Sequence, residues 1–220
     1  KVSNEQSSAF YEFQLNINTP YEEGLAVLSV TNDGTGMLSF MRYLSDGTSG
    51  EFETHCLKTN NPGEEFPKYP TDIRKRESQL FISYKQDPSI YIVNDKTLEL
   101  ENIVSASEYP GFVPECMLLP ENAARTAIII SSDGAAYNLA SLEGIVLTHT
   151  SLRSSYSTIY YGYYGAYQSY DFLWDEKTHS MVSYDGYTVT DANATGFGSV
   201  WEGEHEVVAM VEDKEGESIT

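Results

Sequence analysis

An all-β fold, a β-propeller-like array of antiparallel hairpin blades, is what this sequence predicts. Three observations lead there. Short apolar runs, alternating or continuous and bounded by Gly, Asn, Asp and Pro, recur along the chain, whereas no long stretch carries apolar residues at helical spacing. Tyrosine occurs 17 times in 220 residues and aromatic side chains make up 13%, a bias toward large flat groups that pack on a pleated, half-buried surface. Explicit turn signals separate the runs. Asp33-Gly34, Asp46-Gly47, Asp133-Gly134 and Asp185-Gly186 each bring the positive-φ tolerance that a short hairpin demands.

In chain order, Leu25 to Val30 leads into the first turn and Met37 to Tyr43 leaves it. Gln79 to Tyr84 and Ser89 to Asn94 form a second pair, linked by Lys85, Gln86, Asp87 and Pro88. The third unit pairs Thr126 to Ser131 with Ala135 to Leu139 and adds Gly144 to His149. The fourth pairs Tyr170 to Asp175 with Ser180 to Tyr184 and adds Tyr187 to Thr190. The leading runs start near 25, 79, 126 and 170, an interval of about 45 residues, which is the spacing of four-stranded propeller blades. Leu25, Phe81, Ile129 and Phe172 are therefore expected at matching inner-strand positions.

A fifth run, Glu206 to Val211, has no partner before Thr220, so the array is expected to be incomplete in this chain. Lys58 to Pro70 holds three prolines and no periodicity and reads as a loop between blades. Ser154 to Tyr170 is the densest aromatic stretch: Tyr156, Tyr160, Tyr161, Tyr163, Tyr164, Tyr167 and Tyr170 are interleaved with Gly162 and Gly165.

The formal charge of −20 argues against nucleic acid as a partner, because phosphate binding needs clustered Lys and Arg. An anionic membrane surface would repel the chain for the same reason. The acidic residues read as a solvated, solubilising surface. No apolar run approaches the ~20 residues that a membrane helix requires, and no segment resembles a signal peptide. Opening at Lys1 without Met suggests a processed or trimmed protein. Cys56 and Cys116 fit neither a zinc nor a redox motif, and buried thiols are expected.

At Thr19 to Arg42 the string TPYEEGLAVLSVTNDGTGMLSFMR resembles the junction found in the PKD-like family of Bacteroidota surface lipoproteins. There a PKD-like Ig domain passes through a Pro-Tyr-Glu-x-Gly segment into a strand, a turn and a strand ending in Leu-Ser-Phe. Tyr11 to Asn18 (YEFQLNIN) then resembles the last strand of that domain, and Ser89 to Val104 and Asp171 to Gly186 resemble later blades more loosely. The resemblance implies that residues 1–19 are the last strand or strands of a PKD-like domain or a linker, and 20–220 a propeller-like repeat domain. It also implies a lipid-anchored accessory protein at the outer-membrane surface, partnered with glycan or peptide uptake proteins. Contact with the membrane would come only through an anchor outside this chain.

Candidate chemistry is less distinct. Glycoside hydrolysis needs two carboxyl groups at a set separation, but Glu64, Glu65, Glu99, Glu101, Glu202, Glu204 and Glu206 offer many acids and no motif that sets two apart. His55, His149, His179 and His205 show no zinc spacing. Ser131-Ser132-Asp133-Gly134 lacks the flanking glycines of a nucleophile elbow and reads as a hairpin turn. Asn32-Asp33-Gly34 and Asp171 to Glu176 present oxygen ligands, yet neither has the alternating carboxylates of a complete calcium loop. Neither a metal nor a cofactor is expected.

The Tyr-rich stretch competes as a binding surface, since aromatic faces stack on sugar rings or apolar peptide side chains while phenol groups donate hydrogen bonds. The same tyrosines would equally fill a blade interface or brace a loop. The expected function is a non-catalytic binder of a glycan or peptide, outside the cytoplasm, with Tyr156, Tyr160, Tyr161, Tyr163, Tyr164, Tyr167 and Trp174 at the contact. Two alternatives belong to other classes: a glycan-cleaving propeller enzyme, which needs convergent acids or His at one end of the axis, and a structural or adhesive spacer, which needs neither.

Overall fold

The computed structural model describes residues 2–3, 8–9, 19–120, 126–139, 144–145, 152–161, 167–175, 180–184, 189–191, 211–212 and 218–219. Their regular structure is antiparallel sheet apart from one short helix. A short ribbon of β1 (Val2–Ser3) and β2 (Ser8–Ala9) comes first. The first layer is β3 (Gly24–Val30), β4 (Gly36–Tyr43) and β5 (Ser49–Glu53), followed by the short helix α1 (Cys56–Asn60). The second is β6 (Pro70–Arg76), β7 (Gln79–Tyr84), β8 (Ser89–Asn94) and β9 (Leu100–Ser105). The third is β10 (Pro114–Leu118), β11 (Ile128–Ser131), β12 (Ala136–Asn138) and β13 (Gly144–Ile145). The fourth is β14 (Leu152–Tyr161), β15 (Tyr167–Asp175), β16 (Ser180–Tyr184) and β17 (Val189–Asp191). β18 (Val211–Glu212) pairs with β19 (Ser218–Ile219), so the end of the run Glu206 to Val211, expected to lack a partner before Thr220, does find one.

The same five-residue turn closes three hairpins. In Thr31–Thr35, Leu44–Thr48 and Ser131–Ala135 the first amide donates to the fifth carbonyl (3.0, 2.8 and 2.8 Å), and the glycine amide returns to the first carbonyl (2.9, 2.9 and 2.8 Å). Only the glycines, Gly34, Gly47 and Gly134, take positive φ (86°, 82° and 84°). Asp-Gly therefore builds a type I turn ended by a left-handed glycine, not a two-residue turn. Asp46 and Asp133 brace it by accepting from the amides of Thr48 (2.9 Å) and Ala135 (3.0 Å).

Strand alternation sends the two faces of each inner sheet into different cores. Leu80, Ile82 and Tyr84 of β7 pack with Leu38 and Phe40 of β4 and with Cys56 and Leu57 of α1. Phe81 points the other way, into a core shared with Met117 and Ile129 of the third layer. Ile128 and Ile130 then face Leu173, Val182 and Tyr184 of the fourth. Burial on both faces explains why β7, β8 and β11 read as continuous apolar runs rather than alternating ones. Each fully buried Ile or Leu contributes about 1.5–3 kcal/mol.

The first strands of successive layers lie side by side: β3 beside β6, β6 beside β10, and β10 beside β14. One carboxylate joins two of them. Asp72 of β6 accepts from the amide of Met117 in β10 (2.8 Å) and from Arg74 Nε (2.9 Å). The all-β class is as expected, with layers succeeding one another face to face, and the described residues do not close a ring.

Three further expectations need correction. Gln79–Tyr84, Ile128–Ser131 and Tyr167–Asp175 are second strands, because each layer opens one strand earlier, at Pro70, Pro114 and Leu152. Those first strands escape a periodicity reading since PTDIRKR and PECML carry proline and charge at a sheet edge. Leu25, Phe81 and Ile129 do not occupy matching positions: Leu25 lies on the edge strand β3 and is 43% exposed, while Phe81 faces the layer after its own and Ile129 the layer before its own. The proline-rich Lys58 to Pro70 segment includes the end of α1, whose Cys56 and Leu57 are buried. Tyr11–Asn18 lies outside the described residues.

Candidate functional site

The Tyr-rich stretch is a hairpin. β14 and β15 pair from Leu152 opposite Asp175 to Tyr161 opposite Tyr167, with Tyr160 opposite Gln168 and Tyr156 opposite Phe172. The ladder from β15 to β16 covers only Asp171 to Asp175. Thr158–Tyr161 and Tyr167–Tyr170 thus form a two-stranded ribbon that continues past the edge of β16. Tyr160, Tyr161, Tyr167 and Tyr170 belong to that ribbon, whereas Tyr156 lies in the sheet proper. Tyr163 and Tyr164 lie outside the described residues. Trp174 is only 1% exposed, so its ring does not present a surface there.

Each of the other candidates within the described residues has a local structural explanation. Both oxygens of Asp33 are engaged: Thr31 donates to Oδ1, and Thr35 (2.9 Å) and Lys68 (3.3 Å) donate to Oδ2. These hydrogen bonds, that from Thr31 foremost, hold its carboxyl well below the usual carboxylate range. Ser131 is fully buried and its Oγ accepts from the Val113 amide at 3.2 Å, which suits a strand end and not an exposed nucleophile. His55 is exposed and caps α1 in a left-handed conformation, while His149, His179 and His205 lie outside the described residues.

Among the acids, Glu101 accepts from Gln79 Nε2 (2.5 Å) and Asn94 (3.0 Å), and Glu99 accepts from Thr97 (3.2 Å). Glu64 and Glu65 are exposed, and Glu202, Glu204 and Glu206 lie outside the described residues. Asp171 lies in β15 opposite Tyr184, and Asp175 is buried. Among the described residues, no three His, Cys, Asp or Glu side chains are grouped to hold a metal ion. No disulfide joins Cys56 and Cys116, which are buried in different layers. No described helix is long and apolar enough to cross a membrane.

One hollow of about 210 Å³ opens at the start of the first layer, lined by Thr19, Glu22, Glu23, Arg42 and Tyr43. Arg42 Nη2 donates to the Pro20 carbonyl (2.5 Å), and Lys96 reaches Glu22 (3.1 Å), lowering the pKa of that carboxyl. These contacts fasten the segment after Thr19 to the first two layers. Tyr21 completes the fastening: it is buried against Phe40 (ring centroids 5.2 Å) and donates to Glu53 at 3.0 Å.

Sequence reading missed two features. Asp72 bridges β6 and β10, and no local pattern marks a carboxylate whose partner lies 45 positions away. Phe52 is 50% exposed on β5 beside other apolar groups. Its flanking Glu51 and Glu53 are the one signal of an edge strand that the sequence holds. No protein-family model matches this chain, and no curated protein matches it significantly.

Proposed function

We propose that this chain belongs to a non-catalytic binding or accessory protein of an outer-membrane glycan or peptide uptake system, surface-exposed and lipid-anchored in its full-length form. In this reading residues 20–220 are a propeller-like repeat domain whose layers are blades, and residues 1–19 end a PKD-like domain or form a linker. The side-by-side first strands and the face-to-face succession of layers support the blade reading.

The observation that carries the binding reading is the ribbon of Thr158–Tyr161 and Tyr167–Tyr170. It runs on where β16 has stopped and holds four tyrosines on a pair of strands with which no third described strand pairs over those residues. Two strands alone are marginally stable in water, so aromatic residues concentrated there serve contact better than they serve the fold. Tyrosine offers a broad stacking face at a small entropy cost.

A glycan and peptide array probed with the intact protein tests this. On the ligand it identifies, replacing Tyr161, Tyr163 and Tyr164 together with Ala weakens binding by ~1–3 kcal/mol, each stacking contact contributing about 0.5–1.5 kcal/mol. Unchanged affinity with an unchanged melting temperature removes the hairpin from the site. Turnover of any array member removes the non-catalytic reading altogether.

A further inference from the structure

The first layer differs from the three that follow. It has three strands where each of the others has four, and no described strand pairs with the outer edge of β5. Leu38 and Phe40 of β4 enter the core shared with the second layer. Alternation therefore sends Met41 to the opposite face, in register with Leu25 on one side and Phe52 on the other. That face is apolar and open: Leu25 is 43% exposed, Val27 38%, Tyr43 51% and Phe52 50%.

Its surroundings are acidic. Between residues 19 and 55 the chain carries Glu22, Glu23, Asp33, Asp46, Glu51 and Glu53; Lys96 pairs with Glu22 and Lys68 with Asp33, and the one cation of the segment itself, Arg42, is engaged with the Pro20 carbonyl, which leaves Glu51 and Glu53 on β5 without a basic partner among the described ion pairs. Glu51 and Glu53 sit on the open edge strand itself, on either side of Phe52. Acidic residues on a short edge strand guard against pairing with another copy, because like charges opposite each other destabilise a ladder. A second copy brings the same −20 charge, and the chain's own apolar run at Glu206 to Val211 is followed by Glu212 and Asp213. The guard selects for a strand of opposite charge.

We propose that the first layer docks an extended polypeptide from another protein, added as a fourth strand on the outer edge of β5. Its apolar side chains lie against Phe52 and its neighbours, and its Lys or Arg side chains lie opposite Glu51 and Glu53. Main-chain bonds to the edge supply affinity, and alternate side chains supply choice of partner.

The probe is a synthetic strand peptide alternating Lys and Val, with one alternating Glu and Val as its control, titrated by fluorescence anisotropy at physiological salt. The Lys–Val peptide binds and the Glu–Val peptide does not. Phe52→Ser lowers affinity by about tenfold or more, the equivalent of about 1.4 kcal/mol, while leaving the melting temperature nearly unchanged because the ring is half exposed. Glu51→Lys does the same, whereas Glu65→Lys, an equal change of net charge elsewhere, does not.

Four results overturn the proposal. One is absence of binding by the Lys–Val peptide, and another is equal loss in both charge-reversed variants, which reports general attraction to an acidic protein. A third is a concentration-dependent dimer in sedimentation that Phe52→Ser abolishes, which assigns the face to a second copy. The last is a Phe52→Cys thiol that a maleimide cannot reach in the folded protein, which assigns the face to this chain's own residues.

Discussion

Replacing Asp72 with Ala measures how firmly the second and third layers are tied along their first strands. The carboxylate accepts from the Met117 amide at 2.8 Å and from Arg74 at 2.9 Å. Met117 is fully buried, so water cannot take over its amide once the acceptor is gone. Losing a hydrogen bond to a charged group, with its donor left buried, costs about 1.5–3 kcal/mol. The ion pair to Arg74 is partly solvated, with side chains 33% and 15% exposed, and adds at most about 1 kcal/mol. The expected destabilisation is thus about 1.5–4 kcal/mol, seen as a lower urea midpoint at unchanged slope. Asp72→Asn keeps an oxygen for the amide but gives up the charge, and should lose roughly half as much. An Asp72→Ala midpoint within about 0.5 kcal/mol of wild type would refute the tie, because that is the range of an ordinary surface substitution.

The three remaining predictions concern turns, packing and pH. Gly47→Ala meets no atom within 4 Å and should cost about 1 kcal/mol for positive φ alone. Gly34→Ala drives its Cβ into the Tyr69 ring, so thermal unfolding should show a loss of at least about 2 kcal/mol, and equal losses at the two glycines would contradict the packing of Tyr69 on the first turn. Ile129→Ala, in the core between the second and third layers, should cost about 2–5 kcal/mol in urea. Leu25→Ala on the open face should stay within about 0.5 kcal/mol. Burial pushes the Tyr21 phenol from 10.0 up to about 12. The folded state therefore keeps a proton that the unfolded chain has lost, and this contribution, full below pH 10, disappears as pH rises from about 10 to about 12. Urea midpoints across that window should fall less steeply for Tyr21→Phe than for wild type, and identical slopes would remove Tyr21 as a cause.

What the sequence disclosed followed its periodicity. β7, β8 and β16 begin and end where their apolar runs do, because buried strands bounded by turn residues leave a local record. Asp33-Gly34, Asp46-Gly47 and Asp133-Gly134 located their turns for the same reason, though not their type, while Asp185-Gly186 lies outside the described residues. First strands such as β6 and β10 stayed hidden: an edge strand held by a neighbouring layer's carboxylate needs no alternation of its own. Leu25 went astray because an apolar strand looks alike whether its outer face is covered or open. Of the candidate site, the aromatic cluster was legible by composition. Its extension past β16 and the burial of Trp174 were not, since both depend on where other strands stop.

The two cysteines are a built-in pair of clocks. Cys56 sits in the core between the first two layers and Cys116 in the core between the last two, with the second and third layers between them. Burial raises the Cys56 pKa above its ordinary value, which keeps that thiol slow to react until its layer parts. Alkylation under mildly denaturing conditions therefore timestamps two separate openings within one unmodified molecule. A shared rate would mean that the layers come apart as one body, and unequal rates would mean that they peel from one end.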